Sequence, residues 1–372
     1  MAIAVVPYAL EHVPAVKDFN RRLQAGGAEA HLSFYEDPIP RWLPKSADHE
    51  LSNEFFVAVE GGVVRGAYAL KRERFSQRDH SFPAGCYHHP LSEGIIDKAY
   101  SSVGVLLIRD ALARQPLLYC LGMDGYDKPL PKMLKLLGWS DCLAPFFFKV
   151  AHPGPFLKQM EALRETPWKS FLMDLGFFSG GGWLALKGLQ GWKQWKVPKP
   201  ERSTVAEVAE FGDWADALWE EARKFYALAA MRDRETLKRL YPAQDTHFTR
   251  LHLSRGGKVI GWAVVGERRK SPRFGDLRVG SVVDCFAAPQ DALPVARAAA
   301  RALEQRGMDV IVSNQSHEAW RQAFRDSGFF EGPSNFIFAA SRKLSEKLTP
   351  FAETQSRIHL TRADGDGLPR NF

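Results

Sequence analysis

The sequence predicts an α/β protein with mixed (α+β) sheets, made of two copies of one domain in tandem. Three observations carry this. Residues 60–66 read Glu-Gly-Gly-Val-Val-Arg-Gly and residues 255–261 read Arg-Gly-Gly-Lys-Val-Ile-Gly, a shared Gly-Gly-x-Val-x-Gly frame between apolar runs. A second echo follows at nearly the same offset, where LLGW (136–139) precedes FFFKV and DSGF (326–329) precedes FIFAA. Between the echoes each half carries an Ala/Leu-rich helix and then a short apolar strand, LLYCLG (117–122) or DVIVSN (309–314). One order of elements repeated once is a duplicated domain, because a solenoid needs at least about three short repeats.

The elements follow from local chemistry. IAVVPYA reads as a first strand. Val13, Val16, Phe19 and Leu23 recur at helical spacing, and the glycines at 26–27 end that helix. FFVAV and VVRGAYAL form a hairpin about Gly61-Gly62, where positive φ costs glycine little. A Pro/His/Ser-rich segment, SFPAGCYHHPLSEG, comes next. VGVLLIRDALA then reads as a helix, LLYCL as a strand, PLPKMLKLL as a helix and FFFKV as a strand. Residues 151–200 break the pattern with SGGGW and a basic, Trp-rich stretch, KGLQGWKQWKVPKPE. The second half repeats the order from TVAEVAEF to NFIFAAS. The expected organisation is a first domain over 1–150, a connector over 151–200, a second domain over 201–342 and a tail over 343–372.

Composition bounds the class. An apolar fraction of 45% and a charged fraction of 25% are those of a globular protein, and each half is long enough to bury its own core. No apolar run reaches the roughly 18–20 residues of a bilayer span. MAIAVVPYALEHV lacks a basic leader, so no signal peptide is expected. Cys86, Cys120, Cys142 and Cys285 are scattered, with no CxxC and no zinc spacing. Reduced, buried thiols, a cytoplasmic location and no metal are the expectation. The net charge of +7 favours anionic partners without naming one.

The β-α-β-β-β-α-β-α-β order, with Gly-Gly hairpins and helices ending Leu-Gly-Trp or Ser-Gly-Phe, resembles the GNAT (GCN5-related N-acetyltransferase) superfamily, here in tandem. The resemblance covers about residues 1–150 and 200–342. It implies a fork between two central strands that admits the pantetheine arm of an acyl-CoA. It also implies a loop and helix N-terminus that cradle the pyrophosphate. Bare backbone N–H groups at a positive helix end suit a phosphate. The matching stretch is Lys98-Ala-Tyr-Ser101-Ser102-Val103-Gly104-Val105, with Ser102 and Gly104 where the family has Gly-x-Gly/Ala and Lys98 or Arg109 as a positive charge. An ordinary Ser-capped helix start is the plainer reading of the same residues. In the second half the loop Ala287-Ala-Pro-Gln-Asp-Ala-Leu-Pro294 has no glycine, carries Asp291, and has two prolines without N–H groups. That half is expected to have lost the cofactor.

Amide formation from a thioester needs a deprotonated amine about 3–3.5 Å from the carbonyl and a donor for the oxyanion. The family's usual acid is a tyrosine five residues before the Gly-Trp/Phe aromatic. Those positions are Leu134 and Phe324 here, which puts that role elsewhere. His88, His89 and Glu93, just before the cofactor loop, are the candidate bases, with a surface turn as the plainer reading. Tyr126, in MDGYDKPLP, is the candidate acid, or else a packed turn residue. Asp124 and Asp127 flank it and suit a cationic amine or a helix cap. Asp284 in SVVDCFA is either paired in a core or aimed into a cleft. HLSFYEDP (31–38) lies where family members cover the acceptor, which makes His31, Tyr35, Glu36 and Asp37 contact candidates by position. The closing Asp364-Gly-Asp366-Gly reads as a turn, since no Glu follows to complete a calcium loop.

The leading expectation is an N-acyltransferase using acetyl-CoA or another acyl-CoA. Its acceptor would be a small amine, amino sugar or amino acid, and the chain a monomer or homodimer. The alternatives are an aminoacyl-tRNA-dependent transferase like the peptidoglycan-bridge enzymes, the one reading with a nucleic-acid partner, or a non-catalytic GNAT-like module.

Overall fold

The computed structural model describes residues 2–29, 31–152, 155, 203–271 and 275–365, with side chains over 268–276 left out. The Trp-rich connector and Asp366 lie outside these residues.

The first half runs β1 (Ala4–Pro7), α1 (Val13–Ala25), β2 (Ser52–Glu60), β3 (Val63–Gln77), β4 (His80–Ser92), α2 (Val103–Arg114), β5 (Leu118–Gly122), α3 (Pro129–Leu136), β6 (Ser140–Leu143) and β7 (Phe146–Val150). The second runs β8 (Thr204–Val208), α4 (Trp214–Ala222), β9 (Leu228–Ala230), α5 (Arg234–Leu240), β10 (Phe248–Arg255), β11 (Lys258–Ser271), β12 (Gly275–Ala287), α6 (Ala292–Gln305), β13 (Val310–Asn314), α7 (Glu318–Asp326), β14 (Phe330–Gly332) and β15 (Ile337–Ala340). The tail adds α8 (Arg342–Lys347) and β16 (Ile358–His359). Among the described residues no helix is long and apolar enough to cross a membrane. The four cysteines are thiols.

The repeated glycine frame has two jobs. Gly61 and Gly62 take φ of +54° and +83°, and Gly256 and Gly257 take +58° and +80°. Two consecutive positive φ values make the turn whose twist suits a hairpin. The third glycine lets a helix approach. A Cβ on Gly66 would stand 2.7 Å from Val103 Cγ1, and one on Gly261 would meet Val295 at least as closely. Val103 and Val295 are therefore equivalent positions, a correspondence that matters at the site.

The Pro/His/Ser-rich segment is strand β4, in the middle of the first sheet. Pro83 sits before β4 meets β5 at Gly85, so no ladder needs its missing N–H on that side. β4 is bulged against β3 between Ala67 and Ala69, so that two residues, His89 and Pro90, stand opposite the single residue Tyr68.

The sheets exchange their aromatic strands. The first reads β1-β2-β3-β4-β5-β15-β6, and the second β14-β7-β13-β12-β11-β10-β8. FFFKV, expected to close the first half, instead pairs antiparallel with β13, Val150 opposite Val310. FIFAA pairs with β5 and β6 of the first sheet. The two crossings meet. Ala144 N donates to Phe336 O at 2.8 Å, and Ser334 Oγ donates to Ala144 O at 2.7 Å. Duplicated aromatic strands satisfy either sheet, so the pattern of side chains alone cannot assign them.

Helices α2 and α3 cover one face of the first sheet over Phe56, Tyr68, Tyr87, Leu107, Leu134 and Trp139. α1 covers part of the other face through Val16, Phe19 and Leu23. The rest of that face, with Phe75, Tyr119 and Phe338, meets β9 and the tail residues Ile358 and Leu360. β16 pairs parallel with β9, and β9 pairs with β3, so the tail joins the first sheet.

Two buried histidines flank this docking. His359 lies against Tyr226 at 4.8 Å and Trp320 at 5.6 Å, and His317 meets the Tyr226 ring edge at 4.8 Å. Burial lowers the His359 pKa to about 4 and the His317 pKa to about 3. Both imidazoles are neutral in the fold at neutral pH. Their contribution is complete above the unfolded value near 6.5 and is lost as pH falls toward about 4. By linkage the His359 shift is worth about 3 kcal/mol and the His317 shift about 5 kcal/mol. Urea unfolding at pH 7 and pH 4.5 is expected to show this acid loss, and His359→Phe to reduce it. An identical pH dependence in wild type and variant would refute the assignment.

Candidate functional site

Strands β4 and β5 pair in parallel only at Gly85–Leu118 and Cys86–Tyr119. β4 continues to Ser92 and β5 to Gly122, so the two arms part beyond Tyr119. A fork between parallel strands, with a helix starting from one arm, is where α/β sheets hold ligands.

The cradle stands beside the fork. The loop from β4 to α2 turns through Lys98–Tyr100, with Asp97 capping Ala99 N at 2.9 Å and Ser101 Oγ donating to Lys98 O at 2.6 Å. Lys98, Ser101 and Ser102 are exposed, Val103 is buried, and Gly104 and Val105 are half-buried. α2 begins at Val103, so the N–H groups of Val103, Gly104 and Val105 lack intrahelical acceptors. Among the described residues a Cβ on Gly104 would meet only Met133 Sδ, at 4.0 Å. That open side, with free amides at a positive helix end, fits a pyrophosphate.

Glu93 holds this loop in place and is not a base here. Its 4% exposed side chain gives Oε1 to Arg22 Nε at 2.7 Å and Oε2 to Arg65 Nη1 at 2.8 Å. Arg65 in turn lies over the Tyr100 ring at 4.3 Å. With both oxygens committed to guanidinium groups, the carboxylate is spent on positioning. The expected base role of Glu93 is therefore corrected.

His88 and His89 sit on the β4 arm. His88 is 4% exposed, and its Nε2 lies 3.2 Å from Asn53 Oδ1. Asn53 Nδ2 donates to Trp42 O at 3.1 Å, which orients the amide and turns Oδ1 to the imidazole. His89, at φ +50° in the bulge, reaches Ser33 O at 2.8 Å and lies against Phe34 and Tyr35. It ties the 31–37 loop to the fork. Tyr35 stacks on Phe55 at 4.5 Å, and Glu36 is exposed beside it. Of the acceptor candidates, Tyr35 thus reaches the β4 arm. Sequence reasoning missed Asn53, which stands in the polar start Ser52-Asn53-Glu54 of β2 and carries no local signal.

The β5 arm ends in four consecutive positive-φ residues, Gly122, Met123, Asp124 and Gly125. Asp124 accepts from Asn335 Nδ2 at 3.2 Å, a partner delivered by the second half. Tyr126 lines a cavity of about 240 Å³ with Met123, Leu134, Trp139 and Asp141. Its hydroxyl donates to Asp141 at 2.7 Å, and burial and that carboxylate push its pKa above the usual tyrosine value. A phenol so held keeps its proton, so the donor role expected for Tyr126 does not follow. Leu134 and Phe324, at the family's tyrosine positions, are core residues at 1% and 0% exposure.

Asp284 is also corrected. It is fully buried, accepting from Arg232 at 2.7 Å, Tyr241 at 2.8 Å and Thr361 at 2.9 Å. Burial raises its pKa against the pull of Arg232. It belongs to an internal network and not to an acceptor cleft. The register nonetheless places it where His88 stands, since Ala69 faces His88 as Val264 faces Asp284.

The second cradle is closed. α6 starts at Ala292, three residues before Val295, whereas α2 starts at Val103 itself. The extra turn buries Pro294 and half-buries Leu293 where the first half exposes Ser102 and Ser101. Asp291 pairs with Arg255 at 2.9 Å in front of it.

No protein-family model matches the sequence, and no curated protein is similar to it by sequence. Solved structures are similar in fold. A probable N-acyltransferase of Enterococcus faecalis V583 aligns over 91% of this chain and 72% of its own, with TM-score 0.50 and 10% identity. A GCN5-related N-acetyltransferase of Anabaena variabilis ATCC 29413 aligns with the same shares, TM-score and identity. A tandem GNAT protein from the clavulanic acid biosynthesis pathway aligns over 91% of this chain and 98% of its own, at TM-score 0.45 and 14% identity. The chain carries two GNAT-like folds in tandem.

Proposed function

We propose that this protein is an acyl-CoA-dependent N-acyltransferase with one cofactor site, in the first half, acting on a small amine. The observation that carries it is the open cradle at Gly104 beside a forked β4–β5 pair, set against the closed cradle at Ala292–Pro294. The Val103–Val105 amides would hold the pyrophosphate, with Lys98 at the rim. A bound acyl-CoA supplies the activated thioester carbonyl.

His88, on the β4 arm, would take a proton from the amine. Asn53 Oδ1 lies 3.2 Å from its Nε2 and fixes the orientation of the ring. Tyr35 and Glu36 border the acceptor side, and Asp124 and Tyr126 the far arm. Acetyl is the proposed acyl group, following the resemblance.

Calorimetric titration of the full chain with acetyl-CoA tests the reading. One site per chain is expected. Two sites would show that the second loop binds as well, and no heat up to millimolar cofactor would end the proposal.

A further inference from the structure

The second fork, between β12 and β13, is filled. These strands pair in parallel at Val279–Val310, Gly280–Ile311 and Ser281–Val312, then part. Past that point the backbone groups of Cys285 are met by side chains. Its N–H goes to Asp284 Oδ1 at 3.0 Å, and its carbonyl lies 2.9 Å from His359 Nε2. Ser316, just beyond β13, forms the other arm. Its Oγ donates to Ile358 O at 2.6 Å and accepts from Leu360 N at 2.7 Å, and its N–H reaches Leu360 O at 3.3 Å. Thr361 Oγ1 donates back to Asp284 Oδ1 at 2.9 Å. Residues 358–361 are thus bonded to both arms at once, and Ile358, Leu360 and Thr361 are each 0% exposed. Ile358 and Thr361 have extended backbones.

We propose that the second fork is a slot for an extended peptide, and that its occupant is the chain's own Ile358–Thr361. An extended peptide offers alternating amide donors and acceptors to unpaired strand groups. A pantetheine arm carries amides of the same kind. A duplicated fork whose phosphate cradle has closed therefore keeps its capacity to hold a strand-like rod. The comparison with a cofactor slot rests on the proposed function, while the peptide contacts do not. Tail occupancy and the closed cradle together account for one cofactor site per chain.

Hydrogen exchange on the full chain tests this. The Leu360 and Thr361 amides are expected to be protected by at least about a hundredfold over an open chain. Ser316→Ala removes the acceptor of the Leu360 amide and is expected to speed its exchange about tenfold, with β10 unchanged. Exchange at open-chain rates in the wild type, or no change in the variant, overturns the proposal. Thr361→Val serves the same comparison should Ser316→Ala not fold. A labelled peptide of residues 355–365 is expected to bind a Leu360→Asp chain, whose tail is displaced, and not the wild type. Binding to both or to neither would overturn the slot. Acetyl-CoA titration of the same samples separates the two readings. No cofactor heat with a protected segment removes the enzyme and leaves the slot, and cofactor binding with an unprotected segment does the reverse.

Discussion

Gly104→Glu is expected to abolish acetyl-CoA binding while leaving thermal unfolding unchanged. The new Cβ has room, with Met133 Sδ at 4.0 Å as its nearest neighbour, so the fold is not strained. A carboxylate in the first turn of α2 even favours the helix through its dipole. The cofactor meets the opposite situation. A negative charge roughly 5 Å from a phosphate costs about 3 kcal/mol at an effective dielectric near 20, and a pyrophosphate carries more than one such charge. Affinity should fall at least about a hundredfold. The equivalent change in the second half, Ala296→Glu, is not a like-for-like control, because Ala296 is fully buried and the glutamate would break the core. Ser101→Ala is the better companion, since Ser101 is exposed and its side chain bonds only to the local Lys98 carbonyl in the contacts described above. Retained tight binding in Gly104→Glu would remove the cradle from the mechanism.

The largest stability loss is expected from Arg232→Met. Arg232 is 4% exposed and bridges Asp284 Oδ2 at 2.7 Å and Asp364 Oδ1 at 2.5 Å. Lys71 completes the assembly, donating to the Asp364 carbonyl at 3.1 Å and pairing with Glu73 at 3.2 Å. Removing the guanidinium leaves two buried carboxylates short of their counter-charge, a change that costs about 3–5 kcal/mol. Burial opposes the charge on Asp364, yet Arg232 and Lys71 hold its pKa below the ordinary carboxylate value. In wild type that group stabilises the fold above the unfolded value near 4, and the gain is lost as pH falls through the lower folded value. Without Arg232 the sign reverses. Burial then raises Asp364 and lifts Asp284 further above its ordinary value, so the cost is present at neutral pH and is relieved as acid protonates them. The gap between wild type and variant should therefore narrow from pH 7 to pH 5 in denaturant midpoints. A gap that is absent, or that widens in acid, would contradict this account of the network.

Much of the fold was legible because its signals are local. Helical spacing in α1, the two Gly-Gly turns and the Leu-Gly-Trp and Ser-Gly-Phe helix ends depend on neighbours a few residues apart. The cradle was legible for the same reason, since Ser101–Val105 is one loop and one helix start. β4 was less so, because two prolines and paired histidines obscure a strand whose tolerance for them depends on where β5 joins.

The site residues that needed correction have distant partners. Glu93 reads as a base until Arg22 and Arg65 arrive from 71 and 28 residues away. Asp284 reads as a cleft acid until Arg232 and Thr361 close on it from 52 and 77 residues away. Tyr126 keeps its place at the fork's mouth but spends its hydroxyl on Asp141.

By itself the sequence determined a duplicated α/β fold and a glycine-bearing helix start in one half only, because turns, helix starts and glycine contacts are set by short-range sterics and hydrogen bonding. Only the tertiary structure decided which sheet each aromatic strand completes, which carboxylates are spent on ion pairs, and where the tail lies. Those outcomes depend on long-range complementarity between surfaces that are chemically alike in the two halves, and no local pattern distinguishes one from the other.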